Sequence, residues 1–323
     1  MMCLCIFLEG LEIKMKNNDL KRKNVPQIAV LLAAYNGEMW IREQLMAILF
    51  QSVDVHIYIS VDLSIDATVN IVTEFSEKYP QVKLLPYGQR FGSAAPNFYY
   101  LLQNVSVVNY DYIALSDQDD IWLPNKLQKA MEVLEAKEAS GYSSNFTALW
   151  SDGTKKKVIK NYPQSEYDYL FESPGPGCTF LLKKDLVMSI QEYLRGTVSP
   201  RDIDWHDWLI YAFARGRGHK WVIDNNSYIF YRQHSSNQLG VNWGYIAFIK
   251  RVKKIVSGYG MNQSLRIIKF LGLTGNKFVA TWYKNDEVNY LKLAFSAKKC
   301  RRKIMDKILF FLACVIMSIR TMR

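Results

Sequence analysis

The stretch Ser116-Asp117-Gln118-Asp119-Asp120-Ile121-Trp122 places three carboxylates within four positions, directly after the apolar run Tyr112-Ile113-Ala114-Leu115. Carboxylates packed this closely repel one another unless a cation neutralises them. A hard divalent ion that also seeks phosphate oxygens is the natural partner. The apolar run reads as a buried strand, so the acids stand at its C-terminal mouth, where open α/β sheets bind their ligands. A helix-capping turn is a second use of the same residues. Pro124 suits the first position of a helix over Asn125–Lys137, with Asp119 or Asp120 near its cap. The two uses are compatible.

Two further loops carry ligand-type residues at strand ends. Ala33-Ala34-Tyr35-Asn36-Gly37 is a turn that can hold an aromatic against a planar ring. Ser60-Val61-Asp62-Leu63-Ser64-Ile65-Asp66-Ala67-Thr68 brings carboxylates and hydroxyls to the start of the next helix. Each is weak alone, because Asp and Ser are common helix caps. In the second half, Trp205-His206-Asp207-Trp208 sets a carboxylate between aromatics, and Tyr231-Arg232-Gln233-His234 ends a strand-like run. Asp207 can also serve as a helix's first-turn residue, and His234 as an ordinary surface histidine. Trp205, Trp208 and Trp243 can line a site or simply fill a core. Gly175-Pro176-Gly177 shapes a pocket or only punctuates a loop.

The elements that must position these residues alternate. Strands are expected at Gln27–Ala34, Val55–Ser60, Val82–Leu85 and Tyr112–Leu115. Helices are expected at Glu38–Phe50, Asp66–Tyr79 and Pro96–Val105, the first two with apolar residues on one face. Strand–helix alternation implies an α/β fold, a mostly parallel, doubly wound sheet. After Gly141 the rhythm changes. A hairpin is expected over Ala148–Ile159, a helix over Asp202–Arg215, and strands at Lys220–Asp224 and Ser227–Gln233. The organisation is therefore an N-terminal extension (1–26), a ligand-binding half (27–140), a second half walling the substrate side (141–244) and a helical tail (245–323). Residues 1–14 precede a more natural start at Met15, and Glu9 and Glu12 make them a poor signal peptide.

Of 323 residues, 49% are hydrophobic and 14% aromatic, enough for a packed core. Five scattered cysteines without a CxxC pair argue for a reducing compartment and against a zinc site. The net charge of +11 is uneven: residues 245–323 hold 17 Lys+Arg against 3 Asp+Glu, and the remainder 24 against 27. Nucleic-acid enzymes place positive charge around the active cleft, so this distribution speaks against a nucleic-acid partner. A basic tail on a slightly acidic body instead suits an anionic membrane surface. Near its end, Ile308–Met317 is an apolar run behind Arg301-Arg302-Lys303. It falls short of the ~20 residues a spanning helix needs and fits a helix lying in the interface or packed on the body.

Taken in order, Leu32–Gly37, Ser60–Thr68, Ser116–Trp122, Trp205–Trp208 and Tyr231–His234 resemble bacterial family 2 glycosyltransferases, most of all their rhamnosyltransferase-like branch. The resemblance covers residues 27 to 240 and implies a GT-A, Rossmann-like nucleotide-sugar-binding fold. It implies that Ala33 and Tyr35 line the nucleobase and that Asp62 hydrogen-bonds the base edge. Asp117, Gln118 and Asp119 match the family's DxD-type motif. Asp119 is then the main ligand of a divalent cofactor, Mg2+ or Mn2+, and Asp117 contacts ribose or the ion through water. Asp120 is left as the helix cap. Asp207 matches the catalytic base, and His234, after Arg232, sits near the diphosphate and the metal. The implied activity is inverting transfer from dTDP-L-rhamnose or a UDP-hexose to a glycan or lipid-linked oligosaccharide. The implied location is cytoplasmic, peripheral on the inner face of the bacterial plasma membrane.

One departure stands out. The family has two adjacent acids and a following Gly in its second motif, where this chain has Val61, Asp62 and Leu63. That puts the loop's conformation in doubt and leaves a non-catalytic glycan-binding or scaffolding relative as one alternative. A sugar-nucleotide nucleotidyltransferase is another, although that class opens with a Gly-rich basic loop where this chain has Tyr35-Asn36-Gly37-Glu38.

Overall fold

The computed structural model describes residues 26–196, 200, 202–234 and 257–321. The expectations for the N-terminal extension, for Trp243 and for residues 245–256 lie outside the described residues.

Strand β1 (Ile28–Ala34) is buried along its whole length, and its unbroken apolar sequence is what a strand covered on both faces requires. It pairs in parallel with β2 (Val55–Val61) and with β4 (Tyr112–Ser116), and β2 pairs in parallel with β3 (Val82–Leu84). Helices α1 (Ile41–Leu49), α2 (Thr68–Lys78) and α3 (Ala94–Asn104) make the crossovers. The apolar residues of α1 and α2 pack on one face of the sheet, those of α3 on the other. This is the doubly wound, mostly parallel arrangement the alternation implied. It puts the C-terminal ends of β1, β2 and β4 on one edge.

Beyond β4 the sheet becomes mixed. Strand β5 (Ile121–Trp122) is followed by α4 (Lys126–Ala136), then β6 (Gly141–Leu149), β7 (Lys155–Val158) and β8 (Leu181–Lys183). After α5 (Lys184–Gly196) and α6 (His206–Gly216), β9 (Trp221–Arg232) completes a nine-stranded sheet of order β3-β2-β1-β4-β8-β6-β9-β5, with β7 paired to β6. One sheet thus takes strands from both halves of the chain.

The second half differs in detail from the sequence expectation. The hairpin turns near Asp152-Gly153 as expected, but its first strand starts at Gly141. The two strands expected around 224 and 227 are one strand, with a register shift where Asp224 pairs Ser144 and Ser227 pairs Asn145; a bulge lets a strand continue through such polar residues. Strand β8 and helix α5 have no counterpart in the sequence expectation. Three residues are too few for a strand pattern, although α5 is plainly amphipathic, burying Leu186, Val187, Ile190 and Leu194.

After α7 (Tyr259–Phe270) and a short helix α8 (Val279–Trp282) comes the small hairpin β10–β11 (Tyr283–Lys284, Glu287–Val288). The chain then runs through α9 (Tyr290–Phe295), α10 (Ala297–Cys300) and α11 (Ile304–Thr321). Among the described residues the tail is helical apart from this hairpin, and it packs on the body. Ile267, Trp282, Leu293, Cys300 and Cys314 belong to the same core as α3 and α6. Arg302 lies buried 3.5 Å from Asp168 and 3.4 Å from Glu172. Cys178, Cys300 and Cys314 are buried free thiols.

Candidate active site

The strand ends of β1, β2 and β4 open into a cleft of about 780 Å3, whose opposite wall is the Pro176-Gly177 turn and the start of α6. Ala33, Tyr35, Asp62, Asp117, Gln118, Asp119, Asp207 and His234 all line it, so sites up to 201 residues apart in the chain share one cavity. Arg232 stands just outside. Its Nε donates to the carbonyl of Asp119 at 2.9 Å and its Nη2 to Glu43 at 2.7 Å. It therefore supports the acidic loop from behind.

The acidic motif divides three ways. Asp119 Oδ2 is 2.7 Å from His234 Nε2, and the His234 ring stacks on Trp40 at 4.1 Å and 15°. Asp117 is raised to about 7 by burial, with the Asp119 and Asp207 charges adding to it. Asp120 corrects the sequence expectation, because it caps no helix. Helix α4 begins after Asn125 with no side-chain cap bond. The Asp120 carboxylate is buried, and neither oxygen has a hydrogen-bond partner. It points into a pocket with the Cys178 thiol. Lys126, also buried, lies over the Trp122 ring at 3.5 Å. Burial lowers that lysine to about 7 and holds Asp120 and Cys178 well above their ordinary values.

Ligand atoms of Asp117, Asp120 and Cys178 lie within 4.8 Å of one another, so this is an acidic cluster able to hold a metal ion. Its chemistry suits a hard cation on the cleft side. A buried neutral thiol is a poor ligand for Mg2+ or Mn2+, whereas Asp117 and Asp119 offer carboxylate oxygens to the cavity. Burial and the neighbouring carboxylates raise Asp117, a cost of ionisation that a cation on the cleft side would relieve.

Gln118 turns inward as a clamp. Its side-chain oxygen accepts from the Tyr35 amide at 2.5 Å and its side-chain nitrogen donates to the Tyr35 carbonyl at 2.7 Å. A Cβ at Gly37 would come within 2.6 Å of that side chain, which explains the glycine. The clamp fixes the backbone while the Tyr35 ring stays 53% exposed at the cleft. Asp62 is likewise engaged, its oxygens accepting from Leu63, Phe91 and Gly92 amides at 2.7, 2.9 and 2.8 Å. The departure at Val61 is local. Val61 lies buried in the strand beside Ala34, and Leu63 faces the cleft.

On the far wall, Asp207 occupies the first turn of α6. Its Oδ1 accepts from the Trp208 amide at 2.7 Å and its Oδ2 lies 3.0 Å from Ser173 Oγ. Burial raises it to about 6, the range of a working general base. His206 beside it stacks on Phe98 at 4.0 Å, and burial drops it to about 3, leaving a neutral ring. A Cβ at Gly177 would meet His206 Nε2 at 2.4 Å, so the turn is shaped to pass this ring. Of the tryptophans, Trp205 lines the cleft, while Trp208 is core and donates to the Tyr169 carbonyl at 2.8 Å. Trp40, Glu43, Lys126 and Cys178 were missed, since nothing in their local sequence marks them.

The glycosyl transferase family 2 model matches residues 29–188. A dTDP-rhamnosyl transferase, RfbG of Shigella flexneri, is 40% identical over 88% of this chain and 99% of its own length. The chain belongs to glycosyl transferase family 2. It is a GT-A glycosyltransferase of the rhamnosyltransferase-like kind. A putative teichuronic acid biosynthesis glycosyltransferase of Bacillus subtilis, TuaG, is 24% identical over 51% of this chain and 66% of its own. In fold, the chain is similar to residues 1–349 of Staphylococcus aureus TarS, with TM-score 0.52, 12% identity and 92% of each chain covered. For the TarS complex with UDP the TM-score is 0.51, at 14% identity, with 91% of this chain and 89% of that one covered.

Proposed function

We propose that this glycosyltransferase moves a deoxysugar, L-rhamnose, from its dTDP donor to a hydroxyl of a growing lipid-linked surface glycan, with inversion at the anomeric carbon. The observation that carries the reading is the sharing of one cleft by two opposed carboxylate sets, Asp117 with Asp119 on the strand ends and Asp207 on α6. The likeness to RfbG along nearly its whole length supports the donor.

Tyr35, 53% exposed at the cleft, offers a face for the base, and Asp62 holds the Phe91-Gly92 backbone at the cleft's edge. Asp119 and Asp117 would hold a divalent ion, with His234 orienting Asp119. When bound, the ion stabilises the negative charge that develops on the departing diphosphate. The acceptor oxygen attacks the anomeric carbon as the bond from that carbon to the diphosphate breaks, and its proton passes to Asp207. Burial has already tuned Asp207 for that proton. The His234–Asp119 pair at 2.7 Å supports this role by fixing the direction of the carboxylate.

A donor panel incubated with Mg2+ or Mn2+, scoring nucleoside diphosphate release with and without lipid-linked acceptor, tests the reading. Acceptor-dependent dTDP release is expected. Release from UDP-hexoses alone refutes the donor assignment, and no release from any donor refutes transfer.

A further inference from the structure

Helix α11 has two faces with opposite fates. The inner one buries Ala313 and Cys314 and packs Phe310, Phe311, Val315 and Met317 on the core. The outer one carries Ile304, Ile308, Leu312, Ile316 and Ile319, repeating every three or four residues and so forming one stripe. These aliphatic side chains stand in solvent, with Ile304 73%, Ile308 48% and Leu312 49% exposed. Phe295, 80% exposed, packs edge-on against Phe311 at 5.9 Å and widens the stripe. A contiguous apolar strip on a folded body marks an interaction surface.

Lysines rim it. Lys292, Lys298 and Lys303 are exposed, and residues 290–323 hold nine Lys+Arg against the single acid Asp306. Asp306 itself faces Arg301 at 3.9 Å. Among the described residues no helix is long and apolar enough to cross a membrane. An amphipathic helix of this kind lies in the plane of an interface instead.

We propose that the outer face of α11, extended by Phe295, is a docking surface for an anionic lipid bilayer. The aliphatic stripe enters the boundary between headgroups and acyl chains, and the rim lysines meet lipid phosphates. Charge decides the occupant, because a second copy of this chain would bring an equally basic rim against the first. The proposal rests on the reading of a lipid-linked acceptor and specifies how the enzyme reaches it. Buried Arg302, paired with Asp168 and Glu172, fixes the helix to the catalytic body, so docking also orients the cleft.

The test is co-sedimentation of the full chain with vesicles of phosphatidylglycerol and phosphatidylethanolamine, against vesicles of phosphatidylcholine alone. Binding to the anionic vesicles only is expected. It should weaken at least about tenfold in I308E/L312E, in K292E/K298E, and on raising salt to ~0.5 M. Thermal melts and dTDP binding, measured in parallel, should match the unaltered chain. Equal binding to both vesicles, or none lost in either variant, overturns the proposal. So does light scattering showing a dimer that I308E/L312E converts to monomer without any vesicle binding by the unaltered chain. A chain that binds anionic vesicles but no nucleotide refutes the transfer reading alone; one that binds nucleotide but no vesicle refutes docking alone.

Discussion

Ser173 and Asp207 are joined by a 3.0 Å contact between Ser173 Oγ and Asp207 Oδ2. The same hydroxyl lies 2.6 Å from the Gly175 carbonyl, and Arg302 donates to the Ser173 backbone carbonyl. The proposed base is therefore positioned by a loop that the C-terminal tail holds in place. Tail and cleft are one mechanical unit.

A pH profile follows from that contact. Asp207, raised to about 6 by burial, must be charged to accept a proton, so kcat should fall as pH drops through about 6. The Ser173 hydrogen bond favours the charged form. Removing it in Ser173→Ala should move the acid limb upward by roughly half a unit. A limb that stays in place would disconnect Ser173 from the base.

Asp207→Asn should keep dTDP binding and lose transfer by about 10^2–10^4-fold, the usual worth of general-base catalysis. It should also melt slightly higher at pH 8 than the unaltered chain, because an amide carries no charge to desolvate. That gain is about 1–2 kcal/mol after allowance for partial exposure, and it should vanish near pH 4. Residual transfer near the unaltered rate would place the base elsewhere.

Asp119→Ala should abolish metal-dependent retention on an immobilised nucleotide sugar, while His234→Ala should weaken it by about tenfold. Asp119, His234 and Trp40 all line the cleft, and His234, stacked on Trp40, fixes the direction of the Asp119 carboxylate. Chelation should copy the Asp119→Ala effect in the unaltered chain. Retention that survives both treatments removes the metal assignment.

Asp62→Ala should cost about 1–3 kcal/mol, because it strips acceptors from the Phe91 and Gly92 amides. Denaturant unfolding reads that loss directly. Nucleotide binding should weaken with it, since the freed loop borders the cleft. Unchanged stability would show the loop held by other contacts.

Deleting residues 300–323 should unfold the protein and not merely release it from membranes. The deletion removes buried Cys300 and Cys314 from the core and takes Arg302 from Asp168 and Glu172. Arg302→Ala alone should cost about 3–5 kcal/mol, as breaking a buried pair does. Soluble expression and a cooperative melt of the truncated chain would contradict this.

The first half of the fold was legible because its signals are local. The apolar runs of β1, β2 and β4 and the one-sided helices between them declare a parallel sheet. Parallel strands in turn put Tyr35, Asp62 and Asp117 on one edge. The second half was less legible. Strand β8 is too short to show a period, and the bulge in β9 interrupts its pattern with Asn225 and Asn226.

What the sequence determined by itself was the set of ligand-type residues and their place at strand ends, since both follow from residue type and short-range periodicity. The tertiary structure decided what each side chain does there. Asp120 read as a helix cap and is a buried carboxylate beside Cys178 and Lys126. Gln118 spans 83 positions to clamp Tyr35, and Arg232 reaches back 189 positions to Glu43. The tail read as a choice between membrane and core, and α11 packs one face on the core and leaves the other exposed. Such partnerships depend on which surfaces the sheet brings together, and no local pattern encodes a contact made across the fold.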